Sequence, residues 1–212
     1  MKRIVVLASG RGSNLDALLT AGIAAQFVAV IANRPNAGAL TLAAARNIPA
    51  ITLDHTQFPD RENFDTALAN EIDRHAPDIV LLAGFMRVLT AGFVNRYRGQ
   101  LVNIHPSLLP AFPGLNTHQR ALTAGVRIHG CTVHYVTPEL DHGPIIIQAA
   151  VAVQPGDDAG TLAARVLRQE HRIYPMALRW LVEERLQLSG DGTVFLMGAS
   201  SPDEALISPG GA

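Results

Sequence analysis

Arg3-Ile4-Val5-Val6-Leu7-Ala8 runs straight into Ser9-Gly10-Arg11-Gly12-Ser13-Asn14-Leu15. The first part is apolar throughout rather than alternating, the pattern of a strand buried on both faces of a parallel sheet. The second part brings two glycines and then residues suited to opening a helix. Strand, glycine turn and helix in that order form the opening unit of an α/β fold. The alternation continues, with apolar β-rich runs at 27–32, 50–53, 79–83 and 101–104 and helical patterns at 14–21, 37–45, 61–75 and 90–97. It predicts an α/β fold with a doubly wound, mostly parallel sheet and helices on both faces. Ligands of such sheets sit at the C-terminal ends of the strands.

The pattern changes after Leu101. Residues 103–117 hold Pro106, Pro110 and Pro113, which predicts an ordered loop, because proline fixes φ and donates no backbone hydrogen bond. Strands are expected at 129–136 and 144–153, joined by a turn containing Asp141-His142-Gly143-Pro144. A long helical pattern over 158–186 has Asp157 or Asp158 as its cap and a kink expected at Pro175. The small, polar residues 199–212 are expected to form a flexible tail.

Composition excludes several classes. With 48% hydrophobic and 17% charged residues, the chain is too apolar for intrinsic disorder. A net charge of −1 argues against a nucleic-acid footprint over the whole chain, so no nucleic-acid partner is expected. The apolar runs are far shorter than the roughly 20 residues of a spanning helix, so no membrane partner is expected. Lys2 and Arg3 read as the start of a strand rather than as a secretory leader. A lone cysteine, Cys131, forbids an intrachain disulfide and fits a cytoplasmic location. The histidines lack metal-ligand spacing, and no metal is expected.

The first loop suits phosphate. Glycines let backbone approach a ligand, and a helix N-terminus offers free N–H groups and partial positive charge. A dinucleotide fingerprint fails, because Leu15 replaces the third glycine and Ile31-Ala32-Asn33-Arg34 offers no acid for a ribose. A site for one phosphomonoester remains, beside the plainer reading of a tight turn capped by Ser13 or Asn14. Asn103 and His105 are two apart on the fifth strand, so they point to one side. An amide and an imidazolium together can form an oxyanion hole and an acid, or they can simply hold the loop that follows. Asp141 near His105 would favour the charged ring and move a proton, although Asp in a Gly-Pro turn is also a common turn former.

The stretch 103–114, with Gly130-Cys131-Thr132-Val133-His134 and Leu140-Asp141-His142-Gly143-Pro144, resembles the folate-dependent formyltransferases. Ala8-Ser9-Gly10-Arg11-Gly12-Ser13-Asn14-Leu15, Leu82-Ala83-Gly84-Phe85-Met86-Arg87-Val88-Leu89 and Gln169-Glu170-His171-Arg172-Ile173-Tyr174-Pro175 extend the likeness over about 2–188. They narrow it to the branch that formylates glycinamide ribonucleotide in purine biosynthesis. The resemblance implies a Rossmann-like formyltransferase fold in one domain over 1–198. Its nucleotide half covers about 1–100, and its catalytic and folate half about 101–198.

Roles follow from the same resemblance. It implies Asn103, His105 and Asp141 as the catalytic trio. Gly12, Ser13 and Asn14 would bind phosphate, and Leu167, Arg168, Gln169 and Glu170 would contact the ribonucleotide. Arg61, Met86, Arg87, Val88, Leu89, Thr137, Pro138, Glu139 and Leu140, with Asn103 and Asp141, would bind the folate. The donor would be 10-formyltetrahydrofolate, consumed as a cosubstrate. The acceptor amine would attack it directly through a tetrahedral intermediate. The chain would act as a monomer or homodimer on small molecules. The family commonly has His where this chain has Asn116, so Asn116 is left out of the site. Cys131 stands where the family has Thr or another small residue, with no basic partner to make it a nucleophile.

A transfer RNA formyltransferase would need a further C-terminal domain. A formyl-folate hydrolase would carry a regulatory domain ahead of the core. A sugar-nucleotide formyltransferase would need a larger site. A non-catalytic phosphoribosyl sensor on the same fold would not need all three of Asn103, His105 and Asp141.

Overall fold

The computed structural model describes residues 1–199. Apart from Ala199, the tail expected over 199–212 lies outside the described residues. In chain order the elements are β1 (Lys2–Ala8), α1 (Ser13–Thr20), β2 (Ala25–Ala32), α2 (Gly38–Ala45), β3 (Ala50–Thr52), α3 (Arg61–Arg74), β4 (Ile79–Leu82) and α4 (Ala91–Arg96). Then follow β5 (Leu101–His105), α5 (Thr117–Thr123), β6 (Ile128–Tyr135), β7 (Ile145–Ala152), α6 (Ala159–Val182), β8 (Leu186–Leu188) and β9 (Val194–Leu196).

The main sheet has seven strands in the order β3-β2-β1-β4-β5-β6-β7. The strands from β1 to β5 pair in parallel, while β6 pairs antiparallel with β5 and with β7. Alternation along β1 explains its unbroken apolar run. Ile4, Val6 and Ala8 enter a core with Leu15, Val166 and Tyr174 from α1 and α6. Val5 and Leu7 enter a second core with Phe64, Leu68 and Phe93 from α3 and α4. Each such side chain contributes roughly 1.5–3 kcal/mol when fully buried, so both faces of the strand must be apolar.

Strand order reverses between β1 and β4, which are neighbours in the sheet but not in the chain. The loops after these strands therefore part around a crevice, the place where doubly wound sheets bind ligands. On β5, Val102 and Ile104 enter the α1/α6 core. Asn103 and His105 alternate with them and so face the α3/α4 side.

Two expectations need correction. The stretch 103–117 is not one loop, because β5 continues to His105 and α5 begins at Thr117. The last helix ends at Val182, and a two-stranded hairpin of β8 and β9 follows it. Of the two caps expected for α6, Asp158 is the one used, in a capping box with Thr161. The helix runs through Pro175 as one element.

Candidate active site

The glycine turn after β1 ends at Gly12, which N-caps α1 in the left-handed region at φ 86° with no side-chain cap. Neither Ser13 nor Asn14 caps the helix, so the plainer alternative of a side-chain-capped turn does not hold. Glycine is required there twice over. The backbone is left-handed, and a Cβ would sit 2.9 Å from Ala39 Cα. The first N–H groups of α1 have no intrahelical partner and suit an anion.

Asn14 does something other than cap. Its Nδ2 donates to Glu170 Oε2 at 2.7 Å. Asn14 Oδ1 is buried with no hydrogen-bond partner among the described residues. Glu170 belongs to the buried stripe of α6, between Val166 and Tyr174. Burial pushes its carboxyl above the usual carboxylate range, and the Asn14 bond partly offsets this. Two polar groups are thus buried together between α1 and α6. Of the neighbouring expected contacts, Ser13, Leu167 and Gln169 are half-buried and Arg168 is exposed.

The loop after β4 forms the opposite wall. A cavity of about 420 Å³ is lined by Met86, Arg87, Val88, Asn103, His105, Gly114, Leu140 and Asp141, among others. A smaller, more enclosed cavity of about 90 Å³ adjoins it, lined by Arg87, Val88, Leu89, Asn103, His134, Thr137, Pro138, Leu140 and Asp141 among others. Thus the expected folate residues converge from 86–89, Asn103 and 137–141, with two exceptions. Glu139 is exposed and lines neither cavity, and Arg61 is an exposed first residue of α3 that lines neither. The Arg87 guanidinium stacks over the Phe64 ring at 4.7 Å.

Asn103, His105 and Asp141 meet at the junction of the cavities. His105 Nε2 donates to the Phe112 carbonyl at 3.1 Å, and its Nδ1 lies 3.5 Å from Asp141 Oδ2. That second contact is an ion-pair distance, longer than a formed hydrogen bond. Asp141 Oδ2 also accepts the Gly114 N–H at 2.7 Å. The turn reaches this position because Gly143 is tight against β6: a Cβ on Gly143 would sit 1.8 Å from the Tyr135 carbonyl oxygen. Gly143→Ala is therefore expected to cost about 3 kcal/mol of stability in chemical unfolding and to lower turnover with it, because Asp141 moves.

His134, not singled out from sequence, belongs to the site. Its Nδ1 lies 2.9 Å from the Tyr135 carbonyl, which can only accept, so Nδ1 carries the proton. Its Nε2 then accepts from Asn103 Nδ2 at 3.2 Å. Burial holds its pKa below the usual value, so the ring is neutral. This fixes the Asn103 amide with one N–H engaged. Asn116, at φ 56°, and His118 also line the larger cavity. Strand register and loop geometry bring these residues in, and no local sequence signal marks them. Cys131 is fully buried with its thiol pushed up to about 12, which suits packing rather than nucleophilic attack. Among the described residues, no group of three or more His, Cys, Asp or Glu side chains could hold a metal, and no helix is long and apolar enough to cross a membrane.

The chain as a whole has counterparts among known proteins. The chain is 46% identical over 205 residues to the phosphoribosylglycinamide formyltransferase of Escherichia coli K12, covering 95% of this chain and 96% of that one. It superposes on the crystal structure of glycinamide ribonucleotide transformylase 1 from Symbiobacterium toebii with a TM-score of 0.89 at 44% identity, covering 92% and 94% of the two chains. A formyltetrahydrofolate deformylase from Pseudomonas syringae shares the fold at a TM-score of 0.85, with 29% identity over 92% of this chain but 65% of that one. A family model described as formyl transferase matches residues 2–178, and with likeness of this extent the chain belongs to the formyl transferase family.

Proposed function

We infer that the chain transfers the formyl group of 10-formyltetrahydrofolate to the primary amine of glycinamide ribonucleotide, a one-carbon step of purine biosynthesis. The observation that carries the chemistry is the convergence of Asn103, His105 and Asp141 on one cavity of about 420 Å³ with, among the described residues, no activated nucleophile beside them. Extended similarity to phosphoribosylglycinamide formyltransferases supports the choice of acceptor.

Gly12, Ser13 and Asn14 take the phosphate, and Glu170 accepts from the ribose while Asn14 holds it. Leu167, Arg168 and Gln169 flank that contact. Arg87, Val88, Leu89, Thr137, Pro138 and Leu140 enclose the folate, with Met86 at the entrance. Arg61 and Glu139 stand away from both cavities and are assigned to the outer part of the donor. The apolar walls suit a flat ring, and backbone groups read its edge.

The amine nitrogen bonds to the formyl carbon as the carbonyl π pair moves onto oxygen. The Asn103 amide, fixed by His134, offers its free N–H to that oxygen. Protonated His105 exchanges the Phe112 carbonyl for the same oxygen and donates to it. Asp141 holds the imidazolium and takes the proton leaving the amine. Asp141 then passes that proton to N10, and the oxyanion pair re-forms the carbonyl as the carbon–N10 bond breaks. No group of the chain forms a covalent bond, so alignment of the two substrates supplies much of the acceleration.

The test is turnover with both substrates, followed through appearance of tetrahydrofolate. Release that requires glycinamide ribonucleotide is expected. Release without it would point to a hydrolase, as in the structural relative from Pseudomonas syringae. Binding of both ligands without release would leave a sensor.

A further inference from the structure

Ser9 sits at the end of β1, in the loop assigned to the nucleotide, yet its hydrogen bonds lead to the other substrate. Its N–H donates to the Gly84 carbonyl at 3.1 Å. Its hydroxyl accepts the Met86 N–H at 2.8 Å and donates to Asn33 Oδ1 at 2.6 Å. Ser9 is 5% exposed and Asn33 2%, so these are buried bonds with no water to replace them. The Asn33 carbonyl is held in turn by His55 Nδ1 at 2.7 Å. A line of bonds thus crosses the ends of β4, β1 and β2 at the point where strand order reverses.

Phe85 before the 86–89 segment is buried in the second core, and Arg87 stacks over Phe64, but the Met86 and Val88 side chains between and beyond them point outward. Met86 is 62% exposed and Val88 49%, so neither is anchored by packing. At the far end, Asp65 Oδ2 accepts the Thr90 N–H at 2.6 Å. Ser9 and Asp65 therefore hold the two ends, and residues between them line both cavities.

We infer that Ser9 is a positioning residue for the formyl donor: its hydroxyl fixes the Met86 amide against Asn33 and so sets the backbone that receives the folate. The inference rests on the assignment of residues 86–89 to the folate. It makes a prediction that chain position alone opposes. A change in the nucleotide loop should weaken the folate and spare the nucleotide.

Steady-state kinetics of Ser9→Ala, Ser9→Thr and Asn33→Ala test it. Ser9→Ala should raise KM for 10-formyltetrahydrofolate about tenfold, the loss that suits one buried hydrogen bond, with KM for glycinamide ribonucleotide within about twofold. Ser9→Thr keeps the hydroxyl and should restore the folate KM to within about threefold. A role in folding alone would move both KM values and the melting temperature together, and that result overturns the inference, as does failure of the Thr variant to rescue. If Ser9→Ala does not fold, Asn33→Ala decides by the same split, because it frees the Ser9 hydroxyl while leaving it in place. Amide exchange of the unaltered protein separates the two assignments. Tetrahydrofolate should slow exchange across residues 86–90. No protection would remove the folate assignment itself. Protection together with an unchanged folate KM in Ser9→Ala would remove only the role of Ser9.

Discussion

His105→Ala is expected to lower kcat at least about a hundredfold, with KM for each substrate within a few fold. The estimate combines the usual contribution of an acid–base group with that of an oxyanion donor, each worth about a hundredfold or more. Loss of the fold should not confuse the result. The loop after β5 keeps the Thr132 Oγ1 bonds to Ser107 and Leu109 at 2.7 and 3.1 Å, and the Thr117 Oγ1 bond to the Pro106 carbonyl at 2.7 Å. The removed bond, from His105 Nε2 to the Phe112 carbonyl at 3.1 Å, is one anchor among several. Stopped-flow or steady-state turnover with both substrates saturating gives the measurement. A variant retaining a tenth of the activity would remove His105 from the mechanism.

What could be read in the chain follows from the range of the forces involved. β1 was legible because a strand covered on both faces leaves no polar alternation, and its glycine turn was legible because a left-handed residue in contact with Ala39 cannot carry a side chain. The identity of the α1 cap was not, because Asn14 has a more distant partner in Glu170. Glu170 itself could have been found. Val166, Glu170 and Tyr174 recur at helical spacing on the buried stripe of α6, and a carboxylate on that stripe must have a partner. Read alone, the same residue looks like part of a solvated face. His134 had no such signal, since only the antiparallel register of β5 and β6 places it opposite Asn103. Helix α5 was hidden because just Thr117 and Ala121 are buried along it, too few for a period, and the prolines before it argue for loop. The β8–β9 hairpin was hidden because its strands are three residues each and mostly exposed at Leu188 and Phe195. Asn103, His105 and Asp141 were singled out by residue type and strand spacing, with the family resemblance choosing catalysis over a plain loop contact, while their meeting depends on Gly143, whose close approach to Tyr135 positions the turn.

Asp141→Asn separates charge from shape at that meeting point. The substitution keeps the side chain's size, and an amide oxygen can still accept the Gly114 N–H now bound at 2.7 Å. What it removes is the negative charge 3.5 Å from His105 Nδ1, on a side chain that is 9% exposed. At an effective dielectric of about 20, unit charges at such a distance attract by on the order of 4 kcal/mol, an upper bound of roughly a thousandfold in rate. The new amide also brings a donor near His134 Nε2, 3.9 Å from Asp141 Oδ1, where it competes with Asn103 for the same lone pair. Both changes act on the proposed oxyanion donors, and neither touches the turn after β1 or Glu170. The expected result is a fall in kcat of about a hundredfold, with the dissociation constant of glycinamide ribonucleotide, measured by calorimetry, unchanged within about threefold. Weaker nucleotide binding at undiminished kcat would place Asp141 among the binding residues and leave the amine's proton to another base. Loss of both, with a lowered melting temperature, would mean that its bond to Gly114 matters more than its charge.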